Sequence, residues 1–594
     1  MRLLPVIAAS ILMIVGLCRA DTEVEGEVSG EWTREGSPYI VIDSTWVPED
    51  QSLTIREGVE VQFEEGQGLY IFGALDATGT EEDSVRIRVL EGAEHWKGFR
   101  FYGRNRTEWN YASIICPDNL LYLDQNSTLI MNDCLVEARA GIFGDHQFDE
   151  YYGPAGCRLY FSYSIIRGGA DFLTRGGVIT ARHTIFDLGT TDDEDPGFSS
   201  VGTCYRFTSC VVIGDLNMFG GYCIIDSCRF LRPPNGAQIG WSAVGPQGRM
   251  TESYIEGSAG VSWSEGRVTP FINNTVLGNF AAGRCSAEIV GCDIRGGVNL
   301  RDCGSISFRN SVLSRQFTIW QADTLSIDSC QLVYDTPMGY SFIHSGDGSF
   351  LAISRSIIKS RFSLSPWGEL ESFLDHNTFV FDSTTRMSSV NQYTSFTNNI
   401  IMTTVPREHM FFQRSIPHFA YNCVWGYDVF VRFGDYVIAE EPDSTNIIAR
   451  PLIEWEGIIP NLTEDSPCID AGDPEAPQDP DGTRTDIGAI FFDQRLNISG
   501  PVESGLQSMI LNVEAFPNPF NNYLSVSISS TVNSPVSVKL YDIIGRVVSI
   551  TDSPAIFSRK RTVSLNAASL PSGRYVLLVS NSQYARAIPV YCTK

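Results

Sequence analysis

The sequence predicts an all-β protein, a right-handed parallel β-helix solenoid followed by a small antiparallel, immunoglobulin-like β-sandwich, and three observations predict it. Short alternating runs such as Ile224 to Phe230 and Leu325 to Leu332 are broken by Gly, Asp, Asn and Ser, with no sustained helical period. From about residue 130 a short pattern recurs: a polar residue, then Cys, Ser, Thr or Asn, then any residue, then an aliphatic or aromatic one. After about residue 513 the strands become denser and longer, separated by tight turns, as in a sandwich.

The recurring anchors are Cys134, Ser164, Thr184, Cys210, Cys228, Ser253, Thr275, Cys292, Ser311, Cys330, Ser356, Thr378, Asn399 and Cys423. Thirteen steps cover 289 residues, a mean spacing of about 22, within the range that marks stacked supersecondary units. A unit of that length holds about three short strands and three turns, one coil of a parallel β-helix. Coils stack at about 4.8 Å, so fourteen would extend roughly 65 Å. An inward position at a tight corner admits only a small side chain, which explains Cys, Ser and Thr at the anchors. Most of the 15 Cys are therefore read as small buried residues in ladders rather than as disulfides. Cys204, Cys223, Cys285 and Cys303 form a second such column, and the spacing brings Cys204 to Cys223, Cys210 to Cys228 and Cys285 to Cys303 on adjacent coils.

The N-terminal stretch 24–103 supplies atypical turns that hide the first coil's edge. "SPYIVIDSTWVPEDQSLTIREGVEVQF", an apolar-Gly turn and a Trp-Lys-Gly-Phe segment resemble the first turns of exported bacterial parallel β-helix (pectate-lyase-like) proteins. At the other end, Ser466-Pro-Cys-Ile-Asp-Ala-Gly-Asp473 and Asp479-Pro-Asp481-Gly-Thr-Arg-Thr-Asp486 look like the closing segment of such helices. Beyond Val513 come Phe516-Pro-Asn-Pro-Phe520, Tyr541-Asp-Ile-Ile-Gly-Arg546 and Leu570-Pro-Ser-Gly-Arg-Tyr575. This set closely resembles the C-terminal sorting domain of type IX secretion substrates, which implies the type IX machinery as a partner. Pro589 falls where an uninterrupted last strand is expected.

Met1, Arg2, the apolar run Leu3 to Leu17 and Ala20 read as a signal peptide cleaved after Ala20. The expected divisions are the signal 1–20, capping turns 21–110, β-helix 111–495, linker 496–512 and sorting sandwich 513–594. Export leads to secretion or the outer-membrane surface, and no later apolar run is long enough for a transmembrane helix. With 70 acidic against 43 basic residues the net charge is −27, which repels nucleic acid and anionic lipid.

Catalytic constellations are harder to find. The pectin-hydrolase set of Asn-Thr-Asp, Asp-Asp, Gly-His-Gly and Arg-Ile-Lys in successive coils is absent as such, and Asp192-Asp193 sits in an acidic loop. His146, His183, His344, His376 and His418 are scattered. Trp241, Trp263, Trp320 and Trp367 recur among the coils and are candidates for an aromatic stripe that stacks on sugar rings. Asp479, Asp481 and Asp486 alternate with turn residues and are candidates for Ca²⁺ ligands, against the simpler reading of an Asx-turn cap. The expected function is a surface or secreted solenoid that binds polysaccharide or serves an adhesive role. The alternative is a polysaccharide lyase or glycoside hydrolase acting on acidic glycans from a site assembled across coils.

Overall fold

A computed structural model describes residues 21–494 and 511–592, except 104–105, 117–120, 124–126, 139–155, 169–171, 189–196, 233–239, 245–246, 263–267, 320–321, 334–340, 344–349, 360–361, 365–370, 383–392, 413–415, 434, 457–458, 517–519, 522, 531–535, 542–546, 554–560, 569, 572 and 581–584. The expected signal peptide, most of the linker, the acidic loop with Asp192 and Asp193, His146 and His344 lie outside the described residues.

The chain forms a right-handed parallel β-helix of about 14 turns. One face stacks strands such as Thr128–Asn132, Arg158–Ser162, Val268–Ile272 and Glu371–Asp375 in parallel register. Alternation turns every second side chain inward, so one column runs Met131, Phe161, Ala181, Phe207, Ile225, Met250, Phe271, Ile289 and on to Phe419. The second face, from Ala112–Cys116 to Cys423–Phe433, contributes Val136, Ile166, Phe186, Val212 and Phe230 in the same way. A third face includes Gly240–Val244, Phe280–Gly283, Val298–Arg301 and Phe362–Leu364. The three faces share one apolar core from Trp32 to Val431.

The corner between the first and second faces repeats with little variation. Asp133, Tyr163, His183, Ser209, Ser227, Glu252, Asn273, Asn310, Ser329, Arg355, His376, Asn398 and Tyr421 all take left-handed backbone conformation, with φ between 45° and 56°. That conformation costs an L residue roughly 1 kcal/mol or more, so something must hold it at each corner. The next residue does so by turning inward and presenting an acceptor to the coil before it. The backbone N–H of Cys134 donates to Ser164 Oγ, that of Cys228 to Ser253 Oγ, that of Ser253 to Asn274 Oδ1 and that of Cys292 to Ser311 Oγ. Toward the C-terminus the ladder becomes all asparagine, with the amides of Asn377, Asn399 and Asn422 donating to Asn399, Asn422 and Asn446. Each Asn also donates through Nδ2 to a carbonyl of the preceding coil, as Asn399 does to Leu374 O at 2.8 Å.

This geometry shifts three of the expected anchors by one residue. The inward corner residues are Asn274, Asn377 and Asn422, whereas Thr275, Thr378 and Cys423 point to the outside of the second face. In Asn274-Thr275, Asn377-Thr378 and Asn422-Cys423 both residues satisfy a small-or-amide pattern, and only the left-handed residue before them fixes which one turns in. Cys204 is likewise not inward: it pairs with Tyr222, while Tyr205 pairs with Cys223.

The closing segment runs back over the outside of the second face. In most coils the outward residue after the corner is half-exposed, but Ile357, Thr378, Ile400 and Cys423 are buried. Their cover is Ile459 and Ile490 over Ile357, and Leu462, Cys468 and Ile487 over Ile400 and Cys423. Gly488, at φ 116°, lies so close that a Cβ there would meet Ile400 Cδ1 at 2.7 Å.

After the linker come two antiparallel sheets, one of Leu511–Phe516, Tyr523–Ser530 and Arg561–Asn566, the other of Val547–Ser553, Val536–Tyr541, Gly573–Ser580 and Ala585–Cys592. They enclose a separate core around Leu524, Val526, Val538, Leu540 and Leu577. The last strand continues across Pro589, which pairs with Val576; this strand lies at the edge of its sheet, where proline is tolerated.

The ladder register gives a direct test. Asn274→Ala leaves the Ser253 amide and the Met250 carbonyl unpaired in the core and should cost about 3 kcal/mol in urea unfolding. Thr275→Ala, one residue on and outward, should stay within about 0.5 kcal/mol of the parent.

Candidate functional site: an outward aromatic stripe and a polar cap

Of the four tryptophans expected to form a stripe, Trp263, Trp320 and Trp367 lie outside the described residues. Trp241 is on strand Gly240–Val244, in register with Leu216 and Ala259. A different stripe is present on the N-terminal turns. Strands Gly68–Ile71, Gly98–Phe101 and Leu121–Leu123 stack with Leu69, Phe99 and Leu121 inward, which sends Trp46, Tyr70, Arg100 and Tyr122 outward in one column. Phe72 and Tyr102, just past the strand ends, form a second column beside it.

The rings touch across coils. Tyr102 stacks on Phe72 at 5.0 Å and 16° and on Tyr70 at 6.4 Å and 13°, and meets Tyr122 at 5.7 Å. Trp46 is 38% and Phe72 42% exposed, unusually open for such large apolar groups. Sequence reasoning missed these residues because it followed the Trp that recur after or between the 22-residue anchors. The available signal was the outward residue of Leu69-Tyr-Ile-Phe72, Phe99-Arg-Phe-Tyr102 and Leu121-Tyr-Leu123. The adjoining turn is acidic, with Glu64, Glu65, Glu91 and Glu94 around a shallow depression.

The closing segment brings Asp470, Asp479, Asp481 and Asp486 together. Asp479 Oδ2 accepts the Asp486 amide at 2.7 Å, and Asp486 accepts the amides of Asp470 and Phe492, each at 2.7 Å. Asp481 accepts the amides of Thr483 and Gln494. Most of these oxygens thus serve as turn caps, and among the described residues no three His, Cys, Asp or Glu side chains are grouped as a metal donor set. Asp470 Oδ1 is buried without a hydrogen-bond partner. Burial pushes the Asp486 carboxyl up to about 7 and also raises Asp479.

The cap is pinned to the solenoid corner through His376. Its Nδ1 lies 2.8 Å from Asp375 Oδ2 and its Nε2 2.8 Å from Thr485 Oγ1. An acid, an imidazole and a hydroxyl in line is the order of an acyl-transfer triad. Here the hydroxyl is that of Thr485, buried where the cap meets the solenoid corner, so the chain of bonds serves as a strut and offers no accessible nucleophile. Although burial alone would raise it, the Asp375 carboxyl sits below its usual range because His376, Asn398 and Thr397 hydrogen-bond to it. The ladder thiols Cys134, Cys292 and Cys330 are pushed up to about 12 by burial and are not thiolate nucleophiles.

Residues 514–588 match the family model of the secretion system C-terminal sorting domain, and they coincide with the two antiparallel sheets. That domain addresses the chain to the type IX machinery, for secretion or attachment at the cell surface. No curated protein matches the chain. Among solved structures, a variant of a PL6 family alginate lyase is matched at 9% identity over 72% of this chain and 99% of that one, with a TM-score of 0.16. So loose a superposition carries nothing about activity. Among the described residues no helix is long and apolar enough to cross a membrane.

The cap geometry sets a pH dependence. Asp486, raised from about 3.8 to about 7, contributes stability below its unfolded value that is lost as pH rises through 7. Asp375, lowered, contributes stability above its unfolded value that is lost as pH falls through the folded one. Hydrogen exchange of residues 466–494, corrected for intrinsic rates, should be slowest at mildly acid pH and faster toward pH 8 in the parent. Asp486→Asn should flatten the rise on the alkaline side.

Proposed function

We propose that this exported solenoid is a polysaccharide-binding protein that holds a neutral glycan chain along Trp46, Tyr70, Phe72, Tyr102 and Tyr122. The observation that carries the reading is the exposed aromatic stack on the N-terminal turns, with ring contacts running across successive coils. Aromatic faces carry partial negative charge and attract the polarised C–H bonds of a pyranose face; Tyr70, Phe72 and Tyr102 cover one another's faces, so the exposed Trp46 offers the sugar platform and the rigid stack beside it holds the chain at little entropic cost. Arg100, in register between Tyr70 and Tyr122, supplies donors for ring hydroxyls. The four flanking glutamates and the net charge of −27 disfavour a uronate chain, which sets this reading apart from lysis of acidic glycans.

Affinity electrophoresis of the full chain against xylan, a neutral β-glucan, alginate and polygalacturonate separates the readings. Retardation by a neutral glycan is expected, weakened roughly tenfold by Trp46→Ala or Tyr102→Ala with the fold intact. Release of unsaturated uronates from alginate or polygalacturonate would favour the lyase instead.

We also propose that the cap holds Ca²⁺. The buried, unpartnered Oδ1 of Asp470 beside Asp486 supports a cation there, near the expected ligands Asp479 and Asp481. Calorimetric titration with calcium chloride should give heat that Asp481→Asn diminishes if the ion is held, and none if the carboxylates serve only their amides.

A further inference from the structure

We propose that Cys423 and Cys468 are joined by a disulfide in the exported protein, stapling the closing segment to the outer face of the last coil. This pair is placed differently from the ladder cysteines. Ladder cysteines project side by side from neighbouring strands about 4.8 Å apart. A disulfide needs Cβ atoms within about 3.5–4.5 Å and side chains that converge. Cys228, for example, points its sulfur at the Cys210 amide, 3.4 Å away, and serves the corner hydrogen bond.

Cys423 is not a ladder residue. It follows the inward Asn422 and faces out from the second face, and Cys468 comes down onto it from the segment that lies above. The Cys423 thiol donates to Ala449 O at 3.4 Å, and Cys468 lies in the same small cluster, close enough for the Cys423 thiol to push the Cys468 thiol above its usual range. Both are fully buried, in a small cluster with Ile400, Leu462 and Ile487. Backbone contacts hold the pair in place: the Ile487 amide donates to Cys468 O, and the Gly488 amide to Asn398 O. The sorting domain sends the chain through an oxidising compartment, where such a pair can be oxidised.

The chemistry is thiol–disulfide exchange with an external disulfide oxidant. One cysteine thiolate attacks the oxidant, forming a mixed disulfide and releasing one thiol. The second cysteine thiolate then attacks the protein sulfur and releases the other. The protein loses two hydrogens, and the oxidant is reduced to two thiols. Because the neighbouring Cys423 thiol and burial both disfavour the Cys468 thiolate once the segment is seated, exchange takes place while the segment is docking.

The test uses the full chain recovered after export, denatured with an alkylating agent and no reductant, then digested and mapped by mass spectrometry. A peptide pair joined through Cys423 and Cys468 is expected, with the ladder cysteines alkylated. Both residues alkylated, or either bonded to another cysteine, would overturn the proposal. A second readout guards against misfolding of variants: reductant should speed limited proteolysis within residues 463–494 of the parent by about tenfold. In a Cys423→Ala, Cys468→Ala double variant, cleavage should already be fast and reductant should add nothing. An equal response of parent and double variant to reductant also overturns the proposal.

Discussion

The hydrogen bond from each corner amide to the side chain one coil further on is the interaction on which the rest of this structure depends. Parallel strands alone fix the spacing of coils but not their rotational phase, since a one-residue slip would send each inward column outward. The left-handed residue and the inward acceptor behind it break that ambiguity at almost every turn. They also explain the composition. Cys, Ser and Asn all fit the corner, accept a bond from an amide and donate to a carbonyl of the preceding coil, as Cys292 does to Phe271 O and Asn399 to Leu374 O. Asparagine is concentrated in the last coils, at Asn377, Asn399, Asn422 and Asn446, the coils that the closing segment also covers.

Most of the fold was legible in the sequence because its repeat is written in side-chain chemistry. The 22-residue period, the small corner residues, the closing segment and the sorting sandwich all correspond to observed elements. The one-residue error at Thr275, Thr378 and Cys423 arose where an Asn stands beside a second small residue. The sequence shows both as suitable, and only backbone φ at Asn273, His376 and Tyr421 decides between them. The aromatic stripe was illegible for a related reason. Tyr70, Arg100 and Tyr122 are 30 and 22 residues apart, and only the pairing of Leu69, Phe99 and Leu121 beneath them puts them in one column. A site made by stacking leaves little trace in local motifs.

The cap shows how the same stack ends. An unmodified last coil would expose a row of unpaired amides and carbonyls. Here Asn446 completes the ladder, Val431 to Phe433 fold against a short antiparallel strand, and the segment beyond returns over the outside. The acids of that segment are its internal hydrogen-bond acceptors, which accounts for the buried Asp486 beside the half-buried Asp470, Asp479 and Asp481.

The backward course of that segment decides where a pull would enter the molecule. Ile487 sits over Ile400, Ala489 donates to Thr378, and Ile490 rests on Ile357, so each step toward the linker moves one coil further from the end. Tension applied through the C-terminal domain therefore does not lift the final coil like the end of a tape. It is delivered several coils inboard, along the contact between segment and solenoid, where many bonds must slide together before any one parts. A solenoid tethered at this end therefore takes the load first on the seam between the closing segment and its second face, and not on its final coil.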